Sequence, residues 1–132
     1  MSPTLIRSLF ASDIDRNIEE VIKVDQTDEQ IIRDELAEYI ATDSIRSHFR
    51  TILERYAETP NRPHEGIGVW VSGFFGSGKS SFAKYLGFAL ENRSIAGAGA
   101  AGLLAQRLGD DTSTVLLKNI EEHIPTHAVI FD

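Results

Sequence analysis

Apolar residues recur at helical spacing in two neighbouring stretches of the first half of the chain. The first stripe is Ile31, Ile32, Leu36, Tyr39 and Ile40, and the second is Ile45, Phe49, Ile52, Leu53 and Tyr56. Thr27 and Gln30 have the spacing of a capping box before the first stripe, and Asp43 is placed to cap the second helix. Pro60 then stops the pattern because proline cannot donate a backbone hydrogen bond inside a helix. Residues 27–58 therefore predict a helical hairpin.

Short apolar runs alternate with helical stretches in the second half. The pattern predicts buried strands at 67–72 and 127–132 and helices at 79–92, 103–108 and 113–123. The helix at 79–92 is expected to bury Phe82, Ala83, Leu86 and Leu90. The alanine- and glycine-rich run at 96–102 predicts a mobile loop, because glycine weakens a helix.

Composition narrows the possible functions. The chain has 132 residues, a formal net charge of −7 and no cysteine. An acidic chain lacks the basic surface that neutralises nucleic-acid phosphates, so sequence-independent binding to nucleic acid is not expected. Without cysteine there is neither a disulfide framework nor a thiolate metal site. No signal-peptide pattern and no membrane-length apolar run is found, so the expected location is cytoplasmic.

One segment carries a recognisable chemical pattern. Gly73-Phe74-Phe75-Gly76-Ser77-Gly78-Lys79-Ser80 matches G-x-x-x-x-G-K-[ST] without a mismatch. Glycines let the backbone wrap around a phosphate chain at φ values that other residues resist. The following amides can then point at anionic oxygens, at the positive end of the helix that begins near Lys79. Because a predicted strand precedes the loop and a predicted helix follows it, we interpret it as a phosphate-binding (Walker A) loop.

The match to this motif predicts a role for individual residues. The predicted nucleotide-binding residues are Gly73, Gly76, Ser77, Gly78, Lys79, Ser80 and Ser81. Lys79 is expected to neutralise charge on the terminal phosphates of ATP, and the Ser80 hydroxyl to ligate Mg²⁺. Ser81 could add a hydroxyl near the α-phosphate or occupy an ordinary helix position. Phe74 and Phe75 could stack on a base, but packing against neighbouring helices is favoured.

Asp132 follows an apolar run that begins at Ala128, and two interpretations of it stay open. A strand that ends in a carboxylate has the form of the Walker B element, which holds Mg²⁺. Alternatively, the run is an intermediate strand of a sheet and Asp132 begins a turn, as aspartate often does at strand ends. The second interpretation is favoured.

These elements together predict the fold class. A strand, the phosphate-binding loop, helices and a second strand follow the order of a βαβ unit. The predicted class is α/β, with a partial parallel sheet of the P-loop NTPase type preceded by the helical hairpin. Residues 1–62 are then an N-terminal helical segment leading into an ATPase domain, and residues 63–132 are the first part of a truncated P-loop NTPase domain.

Three segments resemble the amino-terminal region of the large P-loop ATPases of bacteriophage-exclusion (BREX) defence systems, related to those of phage growth limitation. They are LFASDIDRNIEEVIKVDQ, ELAEYIATDSIRSHF and GIGVWVSGFFGSGKSSFAKYLG, the last of which is distinctive for its Phe-Phe pair. The resemblance covers nearly the whole chain, but family members are several times longer, which implies an N-terminal fragment or a truncated product. It also implies ATP as the nucleotide and partners in an antiviral assembly that includes DNA methylation.

Three functions are compatible with the loop. The first is the ATP-binding portion of an ATPase; the family's catalytic glutamate, sensor residues and arginine finger have no visible counterparts here, which puts hydrolysis by this chain in question. The second is a small-molecule kinase, disfavoured by the long helical segment before the loop and by the absence of an arginine-rich lid around Arg107. The third is a nucleotide-sensing scaffold that binds ATP without turnover.

Overall fold

Helices dominate the structure. The computed structural model describes residues 5–11, 13–14, 23, 25–63 and 65–131. Its helices are α1 (Glu29–Glu38), α2 (Asp43–Ala57), α3 (Lys79–Glu91), α4 (Ala100–Leu108) and α5 (Asp111–His123). Two short strands, β1 (Ser94–Ile95) and β2 (Ala98–Gly99), and 3-10 turns at Ile6–Leu9 and Thr59–Asn61 complete the described elements. None of these helices has the length and apolar content needed to cross a membrane.

The first two helices begin where the sequence predicts helices, but with different caps. Asp28, not Thr27, caps α1, and its side chain accepts hydrogen bonds from two amides of the first turn. Thr42, not Asp43, caps α2, and its hydroxyl accepts a hydrogen bond from the amide of Ile45. Aspartate caps at least as well as threonine, and Asp43 in the first turn of α2 still stabilises the positive end of the helix dipole.

Each of these helices packs mainly against a later helix. α1 contacts α4, whereas α2 contacts α5, and α3 to α5 pack against one another. Aromatic rings connect the end of α1 with α2 and α3. Tyr39 lies edge-on to Phe49 and Tyr85, and the ring centroids of Phe49 and Phe82 are 4.2 Å apart. A pair of helices predicted as a hairpin is therefore divided between two parts of one helical core.

The predicted parallel P-loop sheet is wrong. Across the described ranges, the strand pairing is limited to β1 and β2, which are antiparallel with Ser94 opposite Gly99. Residues 67–72, predicted as a buried strand, are exposed and unpaired, and Trp70 is 91% exposed. Residues 127–131 are also without strand structure. The α/β fold class predicted from the sequence is thus replaced by a mainly helical fold.

The physical reason lies in where the two apolar runs are placed. A strand becomes stable when its backbone groups bond to a neighbouring strand. Here Val69 and Val71 line the same groove of about 560 Å³ as residues 128–131, and residues of α3 line it as well. The runs therefore border one face of α3 without pairing with each other.

α3 buries a different face from the one predicted. Phe82 is buried as expected, but Ala83 is exposed, and Leu86 and Leu90 are half-buried where they line this groove. The fully buried residues of α3 include Tyr85 and Phe88 instead. The predicted face is the one that a parallel sheet would have covered.

The alanine- and glycine-rich run at 96–102 is not the mobile loop predicted from its composition. Ala96 and Gly97 form the turn of the β1–β2 hairpin, with Gly97 at a φ of +80°. α4 begins at Ala100, and Ala100 and Ala101 are buried. Alanine is the strongest helix former, and the burial of these residues outweighs the cost of about 1 kcal/mol for Gly102 inside the helix.

Candidate phosphate-binding site

The loop of residues 73–80 joins the extended segment before it directly to α3. Gly76 and Gly78 have φ values of +76° and +86°, which place both in the left-handed region that favours glycine. The amide of Ser77 donates to the carbonyl of Phe74 at 3.1 Å and closes a tight turn. Two of the predicted glycines are thus required by the backbone conformation of the loop.

The amino terminus of α3 carries donors without acceptors. α3 begins at Lys79, its N-cap is Gly78, and no side chain caps it. In the part of the chain that the structure describes, no acceptor is found for the amides of Gly78, Lys79 and Ser80. Unsatisfied amides at a helix start, together with the positive end of the helix dipole, favour an anion at this position.

Lys79 places its ammonium within the loop. Its Nζ atom donates to the carbonyl oxygens of Gly73 at 2.8 Å and of Phe74 at 2.7 Å, and lies 3.5 Å from Ser77 Oγ. These bonds fold the side chain back over the residues that precede α3. The positive charge is therefore held over the loop, at the carbonyl oxygens of Gly73 and Phe74.

The loop borders a large cavity. Its volume is about 850 Å³, within the range of about 300–1,000 Å³ that is usual for ligand sites. α1 and the segment that follows it supply one wall, the first half of α2 contributes further residues, and the loop supplies the other wall. The lining residues on the loop side are Val71, Ser72, Gly73, Phe74, Gly76, Ser77, Gly78, Lys79, Ser81, Phe82 and Tyr85.

The charges around the cavity are unequal. Asp34, Glu35 and Glu38 line it from α1, whereas Lys79 is the only lysine or arginine among its described lining residues. A free polyphosphate would be attracted by the loop and repelled by the α1 wall. A divalent cation bound to the phosphates would reduce that repulsion.

Ser80 points to a different space from the other predicted residues. It lines the groove that also contains residues 128–131, whereas Ser81, only 6% exposed, lines the large cavity, and Lys79 borders both. Asp132, for which magnesium binding is the less favoured of two interpretations, lies outside the described residues. A single serine hydroxyl is a suitable ligand for Mg²⁺ that is already bound to phosphates, because this ion keeps several waters and phosphate oxygens as its other ligands.

Among the residues described, no cluster of three or more histidine or carboxylate side chains is arranged to hold a metal by itself.

The two phenylalanines of the loop do not pack against helices. Phe74 is 91% exposed and Phe75 is 99% exposed. The favoured interpretation from the sequence is therefore wrong for both rings. Their exposure leaves them accessible to a ligand or a partner.

Sequence reasoning missed a buried polar cluster in the wall of the cavity. Lys84 is completely buried, and its Nζ atom donates to Glu35 Oε2 at 2.8 Å and to the carbonyl of Lys23 at 2.9 Å. Burial raises the pKa of the Tyr85 hydroxyl, and the charges of Glu35 and Tyr39 raise it further. The spacing of Phe82, Tyr85 and Ala89, an alternative apolar stripe of α3, was the available signal.

Comparisons with known proteins assign no family to the chain. It matches no protein-family model, and no solved structure matches it significantly. The resemblance to bacteriophage-exclusion ATPases therefore stays a prediction that rests on the segments quoted above.

Proposed function

We propose that this chain is the ATP-binding portion of an ATPase, and that the ATPase belongs to a bacteriophage-exclusion defence system. The observation that carries the nucleotide-binding part is the loop of residues 73–80 at the start of α3. It combines left-handed glycines, uncapped amides and the ammonium of Lys79 beside a cavity of about 850 Å³. Each of these features favours a bound phosphate chain.

In the proposed site, a small number of groups contacts the phosphates and the magnesium. Amides around Gly78 and Ser80 donate to phosphate oxygens, and Lys79 offsets the charge of the terminal phosphates. Magnesium bound to the phosphates would contact the Ser80 hydroxyl from the groove side and lower the net negative charge of the phosphate chain. This arrangement requires no preformed parallel sheet, because the donors come from the loop and from α3.

Two features support the wider proposal. The residues Gly73, Gly76, Gly78, Lys79 and Ser80 match the nucleotide-binding loop of the family that the chain resembles. The same resemblance supports ATP as the nucleotide and other defence components as partners. Contact with DNA is not part of the proposal, because the net charge of −7 offers no support for it.

The test is a titration with ligands that differ in the number of phosphates. Mg·ATP should bind more tightly than Mg·ADP, and adenosine should bind far more weakly, because the loop contacts phosphates rather than the base. Equal affinity for ATP and adenosine would show that this loop is not the phosphate site.

The fate of the terminal phosphate separates the three functions. With ATP labelled at the γ-phosphate, release of inorganic phosphate would indicate an ATPase. Transfer of the label to a small-molecule acceptor would indicate a kinase, and binding without either would indicate a scaffold.

A further inference from the structure

The residues that lead into the loop form an apolar segment that is exposed throughout. Every residue from 66 to 75 is exposed. The large apolar side chains of this segment are Ile67, Val69, Trp70, Val71, Phe74 and Phe75. Soluble proteins rarely leave contiguous apolar patches of more than a few hundred Å² in water, and larger patches mark interaction sites. The apolar segment is therefore expected to bind a surface that covers it.

The backbone of the apolar segment is unpaired as well. In the part of the chain that the structure describes, no hydrogen bond is found to the amides and carbonyls of residues 66–72. The β-branched and aromatic side chains of these residues are suited to a strand. Free amides and carbonyls between such side chains form a template on which a strand of another chain can pair. The expected partner is therefore itself an extended segment.

Charge restricts the kind of partner. Residues 66–78 contain no charged side chain, although the chain as a whole has a formal net charge of −7. A partner that recognised opposite charge would find none in this segment. Two copies of the chain repel each other through their net charge, but here they can meet without like charges in contact. The uncharged segment is thus a place where a second copy can dock.

The exposed area is close to what a dimer needs. Trp70, Phe74 and Phe75 are almost completely exposed, and the aliphatic residues of the segment are partly exposed. An aromatic side chain buries about 150–250 Å², so the three rings alone offer roughly 400–700 Å² per copy. A stable interface buries about 800 Å² per partner. Two apolar segments, with their aliphatic residues, can therefore supply the area of a stable dimer.

We propose that this chain forms a two-fold dimer in which residues 67–72 of the two copies pair as antiparallel strands. A two-fold axis places the same segment of each copy against the other, and this closed arrangement stops at two chains. Cross-strand contacts between aromatic and β-branched side chains stabilise such a pair. The pairing does not depend on a bound nucleotide, because residues 67–72 precede the loop that is proposed to hold phosphates.

Analytical ultracentrifugation of the full 132-residue chain measures the dimer directly. We expect a single monomer–dimer equilibrium with a Kd in the micromolar range or below. Added salt should tighten the dimer, because it screens the repulsion between two chains of the same net charge. A chain that is still monomeric at about 100 µM, or that assembles without limit, would overturn the proposal.

A charge placed in the segment should weaken the dimer. Val69→Lys brings one lysine from each copy into the paired strands and should raise the Kd by about tenfold or more, because like charges replace apolar contacts. The matched control is Val115→Lys on α5, where the valine is also exposed but lies outside the segment. This control should dimerise as the wild type does. Equal Kd values for the wild type and Val69→Lys would overturn the proposal.

Two measurements on the wild type test the same pairing without any substitution. Trp70 is the only tryptophan, so its emission should shift to shorter wavelength as the concentration rises and the ring leaves water. Over the same range, alternate amides of residues 67–72 should exchange with solvent about tenfold more slowly or less, because an antiparallel pair engages every second residue in hydrogen bonds. Association without slower exchange at these amides would overturn the strand pairing.

Discussion

The ammonium of Lys84 lies 2.8 Å from a carboxylate oxygen of Glu35, and the lysine side chain is completely buried. The two residues belong to α3 and α1, the helices that face each other across the candidate site. A buried charge pair of this kind tolerates the loss of one partner poorly, because the remaining charge has no water to solvate it. The contact fixes the α1 wall to the helix that begins at the loop of residues 73–80.

Replacing Lys84 should therefore destabilise the protein strongly. Lys84→Met keeps much of the side-chain volume but leaves the Glu35 carboxylate buried without its cation. We expect the free energy of unfolding to fall by about 3–5 kcal/mol, measured by urea denaturation.

The control is the double variant Lys84→Met/Glu35→Leu, which removes both charges. It should recover most of the loss, because apolar residues of similar volume can replace a buried ion pair. A single variant as stable as the wild type would show that the pair is not buried as described.

The backbone of the loop predicts a large effect at Gly78. Its φ of +86° is strained for any residue with a Cβ atom, although the space around it is open. Gly78→Ala should therefore lower the free energy of unfolding by about 1–2 kcal/mol through conformation alone. Gly66→Ala, where the Cβ also meets open space and φ is not in the left-handed region, should have almost no effect in the same urea titration. Equal effects of the two substitutions would contradict the left-handed conformation.

Acid should weaken the amino terminus of α5. Burial by itself raises the pKa of Asp110, but hydrogen bonds from Ser113 and the charged Arg50 guanidinium outweigh it and lower the pKa below its ordinary value of 3.8. The ionised Asp110 carboxylate therefore stabilises the folded protein fully at pH values above its ordinary pKa of 3.8. This stabilisation is lost as the pH falls through the lower pKa that Asp110 has in the folded protein.

Asp110→Asn tests this pH dependence while keeping a good helix cap. Between about pH 5 and pH 2, its unfolding free energy should fall less steeply than that of the wild type. Parallel curves for the two proteins in urea titrations at each pH would contradict the role of Asp110.

Removal of magnesium should weaken nucleotide binding. Asp34 and Glu38 line the cavity opposite Lys79, so uncomplexed ATP brings its full negative charge towards an acidic wall. Chelation with EDTA should raise the Kd for ATP by about tenfold or more in calorimetry. An unchanged Kd would show that the phosphates do not approach this wall.

The helices could be predicted from the sequence because their signals are local. α5, for example, is predicted at 113–123 and observed at Asp111–His123, where an aspartate cap and an apolar stripe identify it. The strands could not be predicted in this way. Val69 to Val71 is an apolar run suited to a strand, but pairing depends on which segment lies beside it, and here that neighbour is a groove and α3.

The same distinction between local signals and long-range contacts applies to the candidate site. Its loop could be predicted because Gly76, Gly78 and Lys79 serve local backbone and charge requirements. The Lys84–Glu35 pair could not, because it joins positions 49 residues apart and a lysine in a helix ordinarily predicts an exposed face. The exposure of Phe75 was missed for the complementary reason, since an aromatic residue ordinarily predicts burial.

The central claim is that Lys79 and the loop hold the phosphates of ATP, and calorimetry with Mg·ATP on matched lysine variants tests it most directly. Lys79→Ala should raise the Kd by about tenfold to a hundredfold, the value of a lost charge-assisted hydrogen bond. Lys118→Ala, on the exposed side of α5, should bind as the wild type does. If Lys79→Ala, with a helical circular-dichroism spectrum like that of the wild type, binds Mg·ATP as tightly as Lys118→Ala, the account is contradicted.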